Sequence, residues 1–273
     1  MRNNEERLGI KNPIVDNAIE NSSNQLNMPT LTDFVDLPTK GKYYPEGHPL
    51  KGKEQVEIKF MTSHEEDLLT SKSLLKKGIA IDRVLSSLLV GKVDIDSLFI
   101  GDKNALIIAT RINGYGSDYT TKITCPRCEE TIDYEFNLED IKITNGNQEL
   151  LGSDGLITIE LPKTKAKVCC RLLNGKDEKF LSQMMENKKK HKLEETNITD
   201  QLKLYVVSVN GSLDQQEVFN FITKMPSLDS KYLRKVYQES IPNVDLTQEV
   251  NCSHCGEESE VIMPLGTTFF WPK

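Results

Sequence analysis

The chain has 273 residues and a mass of 30.9 kDa, room for one large or two modest domains at roughly 150 residues each. Its 34 Lys and Arg against 41 Asp and Glu leave a net charge of −7 and a pI near 5.3, which argues against a protein whose affinity rests on neutralising phosphates. No run approaches the roughly 18 apolar residues of a membrane span, and the opening MRNNEERLGIKNP lacks a signal peptide's apolar stretch, so a cytosolic product is expected.

Residues 1–30 carry many Asn and Ser and few large apolar groups, a composition that predicts a flexible arm. From Leu37 to Pro49 the density of Pro and Gly predicts an irregular loop, and its aromatic pair, Tyr43 and Tyr44, is a candidate partner contact. Val56, Ile58 and Phe60 alternate with polar residues, as a half-buried strand does. Ser63 and Glu66 have capping-box spacing ahead of Leu68, Leu69 and Leu75, and helices follow at about 81–90 and 102–113. Asp102 is read as the cap of the second. After Gly116 the period becomes two: Tyr119, Thr121 and Ile123 run into Cys125, and Ile132, Tyr134 and Phe136 leave after Cys128. Strands entering and leaving a C-x-x-C turn make a zinc-knuckle hairpin.

Residues 144–155, rich in Asn and Gly, read as a linker, and the same programme then returns. A strand with Val168, Cys170 and Leu172 leads past Asn174, Asp177 and Glu178 into a helix carrying Phe180, Leu181 and Met184. Helices at about 200–209, 215–224 and 228–239 follow. A second hairpin has Val244, Leu246 and Val250 before Cys252, and Val261 and Met263 after Cys255. Equivalent positions lie 112 apart at Glu66 and Glu178, 120 at Gly91 and Gly211, and 127 at both Asp102/Asp229 and Cys125/Cys252. The expected fold is therefore α+β, with two pseudo-repeated halves, 31–143 and 156–273, each a strand, helices and a C-x-x-C hairpin. Two unrelated α+β stretches sharing that order are the alternative.

In a reducing compartment the six cysteines are not disulfides by default. Cys125-Pro126-Arg127-Cys128 and Cys252-Ser253-His254-Cys255 each supply two thiolates, half of a tetrahedral zinc site. If the halves pack about a pseudo-twofold axis, the two turns meet and make one structural zinc site per chain from Cys125, Cys128, Cys252 and Cys255. A dithiol redox pair, decayed knuckles and ligands shared with another chain are the competing readings. The redox pair is disfavoured because neither motif opens a helix, where a lowered thiolate pKa is found.

The remaining motifs have plainer readings. His254 is a knuckle-tip residue, and Gly256 sits where the turn past the metal calls for positive φ. Cys169 and Cys170 point to opposite faces of a strand, one into the core. The Lys188–Lys192 cluster complements a helix C-terminus among flanking glutamates. No phosphate-binding glycine loop, nucleophile elbow or zincin motif is present, and nothing converges on His48 or His64, so no catalytic residue is assigned and no small-molecule substrate is expected. Phe269, Phe270 and Trp271 crowd the chain end, where they dock on this protein's own core or in a partner's groove.

The Leu37–Pro45 segment, the distant knuckles, Ser227–Arg234, Pro242–Asp245 and the Phe-Phe-Trp-Pro ending together resemble the baseplate hub and hub-assembly proteins of T-even-like contractile-tailed phages, over about residues 31–273. The resemblance implies a non-enzymatic hub component or hub-assembly factor, made in the host cytoplasm and partnered by other baseplate or tail proteins. A zinc-ribbon nucleic-acid-binding or transcription accessory protein is the rival reading.

Overall fold

A computed structural model describes residues 30–263, 265 and 267–270. The predicted arm, apart from Thr30, and Trp271 lie outside them. The described residues form an α+β molecule of eight α-helices and five small sheets whose strand pairs are all antiparallel. No helix among them is long and apolar enough to cross a membrane.

The first half begins with β1 (Thr32–Asp36) paired to β2 (Gln55–Lys59). The Pro- and Gly-rich loop between them folds inward, burying Leu37, Tyr44 and Leu50. Gly41, at φ 65°, makes this possible, because a Cβ there would lie 2.3 Å from the Leu50 carbonyl oxygen. The capping box of α1 (Ser63–Thr70) is one residue earlier than the spacing of Ser63 and Glu66 suggests. Thr62, in extended conformation, caps the helix, and its backbone N–H donates to Glu65 at 2.9 Å. After α2 (Lys72–Lys76), α3 (Ala80–Leu88) turns Val84, Leu85 and Leu88 into the core. Helix α4 (Ile100–Tyr115) is longer than expected at both ends. Phe99 occupies the N-cap, Asp102 points inward from the first turn, and the helix stops at Gly116, whose φ is 83°.

Strands β3 (Asp118–Thr124) and β4 (Thr131–Asn137) form the first hairpin, and β5 (Ile143–Thr144) pairs across the chain with a strand near its end. In the second half β6 (Leu156–Glu160) and β7 (Lys167–Arg171) pair like β1 and β2. Asn174 and Asp177 form the capping box of α5 (Gly175–Lys190). Helix α6 (Asn197–Tyr205) ends short of the predicted 209, because the β-branched run that follows becomes β8 (Val206–Val209) on the edge of β7. Helices α7 (Gln215–Lys224) and α8 (Ser227–Ser240) lead to β9 (Asn243–Val244), the partner of β5, and to the second hairpin, β10 (Thr247–Asn251) and β11 (Glu258–Ile262).

Two apolar cores result. The second holds Leu151 to Tyr237. The first holds Val35 to Leu138 together with Val244, Val250, Met263, Phe269 and Phe270 from the chain end. They join at the start of α4, where Phe99 packs on both. There Ile100 N–H donates to Leu173 O at 3.1 Å and Gly175 N–H to Leu98 O at 3.0 Å. Lys103 spans the seam to Asp82 at 2.8 Å and Glu178 at 2.7 Å.

Candidate metal centre

The two hairpins end in turns of the same construction. Cys125 N–H donates to Glu130 O at 2.9 Å and Glu129 N–H to Cys125 O at 3.0 Å; in the second turn Cys252 N–H donates to Glu257 O at 2.9 Å and Gly256 N–H to Cys252 O at 2.8 Å. The residue after each second cysteine is left-handed, Glu129 at φ 60° and Gly256 at φ 69°, as expected for Gly256. The hairpins bring the four thiols together, every Sγ within 4.8 Å of the others. Cys125 to Cys255 is 3.7 Å and Cys128 to Cys252 is 3.8 Å, so each contact crosses between hairpins. Four sulfurs held ~2.3 Å from a tetrahedral centre stand ~3.8 Å apart, and the cluster has those dimensions. It can hold one metal ion.

Cys125 and Cys252 are buried, Cys128 is half-buried and Cys255 is exposed, so the site opens to solvent on one side. The backbone N–H groups of Cys128 and Arg127 pull the Cys125 thiol down to about 6. For Cys128 the Glu130 N–H acts in the same direction, but burial and the neighbouring thiols outweigh it and push the group up to about 12. One thiolate forms readily and crowding resists the next, until a cation supplies the missing charge. An Arg127–Glu257 ion pair bridges the turns beside the sulfurs. Four soft thiolates suit zinc, and a four-protein-ligand tetrahedron leaves no open position for a substrate.

His254 is exposed at the knuckle tip, and of the adjacent pair Cys170 is buried and Cys169 half-buried. Several of the candidate aromatics pack inside this chain. Tyr44 is buried, stacks on His48 at 4.2 Å and donates its hydroxyl to Asp102 at 2.8 Å. Phe269 and Phe270 are fully buried; Phe269 meets Tyr119 edge-on, and its carbonyl accepts from Arg111 Nε at 3.0 Å. Large rings with core positions within reach gain more by burial than by waiting for a partner. Tyr43 remains half-buried.

Two buried carboxylates went unrecognised in the sequence. Asp102 accepts from Thr39 N–H at 3.0 Å, Thr39 Oγ1 at 2.6 Å and Tyr44. Asp229 accepts from Lys163 N–H at 2.8 Å, Thr164 N–H at 2.9 Å and Thr164 Oγ1 at 2.8 Å. Each clasps the turn after a Leu-Pro pair, Leu37-Pro38 or Leu161-Pro162, and that repeated dipeptide was the available signal. Burial holds the Asp102 carboxyl above its ordinary range despite these donors. At Asp229 burial also pushes upward, but the two backbone N–H groups and the Thr164 hydroxyl outweigh it and hold the group low.

A family model described as T4 bacteriophage base plate protein matches residues 32–271. No curated protein and no solved structure matches the chain.

Proposed function

Because this chain belongs to the family of T4 bacteriophage base plate proteins, we propose that it is a non-enzymatic component or assembly factor of the baseplate's central hub, made in the host cytoplasm and held in shape by one zinc ion per chain. The family match over nearly the whole described chain carries the reading, and the four-thiol cluster supports it. Cys125, Cys128, Cys252 and Cys255 would hold the zinc, which supplies a rigid cross-link and no chemistry. Other baseplate or tail proteins are its partners, and Tyr43 is the member of the aromatic set whose half-exposure suits a contact.

The reading includes an internal duplication. Supporting it, the capping boxes of α1 and α5 lie 112 positions apart, and the Asp102 and Asp229 clasps, like the knuckles, lie 127 apart. The Leu-Pro pairs lie 124 apart, ahead of the capping boxes, so the first copy has the longer loop between its first two strands.

The test is recovery of the tagged protein from cells making tails, with the complexes weighed and finished tails probed for the chain. Presence in purified tails supports a hub component, and presence only in precursor complexes an assembly factor. Normal tails from phage lacking the chain would overturn both.

A further inference from the structure

The four thiols are unequally exposed, and the inequality follows a pattern. Each contact between the hairpins joins an accessible sulfur to a shielded one: exposed Cys255 lies 3.7 Å from buried Cys125, and half-buried Cys128 lies 3.8 Å from buried Cys252. A disulfide bond is ~2.05 Å long, so closing either contact takes about 1.7 Å of approach. The hairpins are also held together by more than an ion. Arg127 pairs with Glu257 beside the sulfurs, and Ile123 and Phe136 of the first hairpin share a core with Val250 of the second.

We propose that peroxide converts this centre into two disulfides between the hairpins, Cys125–Cys255 and Cys128–Cys252, and releases the zinc. The inference rests on the zinc reading given above. The accessible thiolate of each pair attacks one oxygen of hydrogen peroxide: an S–O bond forms, the O–O bond breaks and hydroxide leaves. The shielded thiolate then attacks that sulfur, forming the S–S bond and expelling a second hydroxide as the S–O bond breaks. Over both pairs, four thiolates give four electrons to two peroxide molecules, the four hydroxides take up protons to become water, and zinc departs as the aqueous ion. The cross-link changes from coordinate to covalent while the hairpins stay joined. A chain made in a reducing cytoplasm and carried out of it on a tail passes into surroundings where disulfides form and persist.

The test treats the full-length, zinc-loaded chain with excess hydrogen peroxide, follows zinc with a chromogenic chelator, and maps the sulfurs by trypsin and non-reducing mass spectrometry. Trypsin cuts after Lys122, Arg127, Lys142 and Lys235, which places Cys125 on peptide 123–127, Cys128 on 128–142, and Cys252 with Cys255 on 236–273. Expected is loss of all bound zinc and a single species containing the three peptides. Fragmentation between Cys252 and Cys255 should assign 123–127 to Cys255 and 128–142 to Cys252. The oxidised chain should melt above a chain stripped of zinc and kept reduced, and dithiothreitol should remove that difference. Peptides 123–127 and 128–142 joined only to each other would show closure within each turn and overturn the proposal. So would the reverse pairing between hairpins, a bond to Cys169 or Cys170, sulfinic acids in place of disulfides, or zinc retained throughout. Elemental analysis finding no zinc before treatment overturns the zinc reading instead, and the peptide map on that protein still decides the pairing.

Discussion

At the scale of single residues, the four thiols and the two buried aspartates do different work. If the cluster binds one zinc, binding free energy is folding free energy. Cys128→Ser and Cys255→Ser should then each lose the metal by elemental analysis and melt lower and less cooperatively, while Cys169→Ser retains it. Asp229 tests linkage. Its folded pKa lies below the ordinary carboxylate value, so the folded state binds fewer protons in that interval. The stabilisation is complete above about pH 4 and lost as pH falls through the folded value. Asp229→Asn should cost about 2 kcal/mol at neutral pH and flatten the acid limb of urea midpoint against pH. Asp102, held high by burial, contributes with the opposite sign: stability declines as pH rises through its interval. The cysteines were legible because each pair is a local motif. The aspartates were not, because their partners lie 63 and 66 positions away and nothing local distinguishes a clasp from a helix cap.

Among the elements, α7 matched its predicted span because its caps and apolar period agree locally. By contrast the sequence predicts helix through Val209, since only the neighbouring β7 turns Val206–Val209 into a strand. The start of α4 is set by such a neighbour too. A Cβ on Gly101 would lie 2.1 Å from the Pro242 carbonyl oxygen, so helix and β9 approach at backbone contact. By helix propensity alone Gly101→Ala should stabilise by ~1 kcal/mol. Here the sign reverses: the variant should unfold at lower denaturant than wild type, whereas Gly101→Ala raising the midpoint would show that the seam yields without cost.

At the scale of the whole molecule, the early and late described segments are interlocked. The first core borrows Val244, Val250, Met263, Phe269 and Phe270, and the thiol cluster takes two members from each hairpin. Neither 31–143 nor 156–273 expressed alone should melt cooperatively: one lacks part of its core, the other carries aromatics with nothing to cover them. Cooperative melting of either fragment would show that the seam is dispensable. The order of strand, helices and knuckle was readable from periodicity, but the borrowing was not, because periodicity says which face is apolar and not which core receives it.

That borrowing fixes a timetable for synthesis. A ribosome adding ~5–20 residues each second needs roughly seven to twenty-six seconds to pass from Leu138 to Phe270. Throughout that interval the first core is unfinished, and until Cys255 is made Cys125 and Cys128 have no complete second pair to share an ion with. The newborn chain is therefore open to chaperones, to oxidants and to the wrong metal until Val244–Phe270 emerge, and those late residues seal a core begun at Val35.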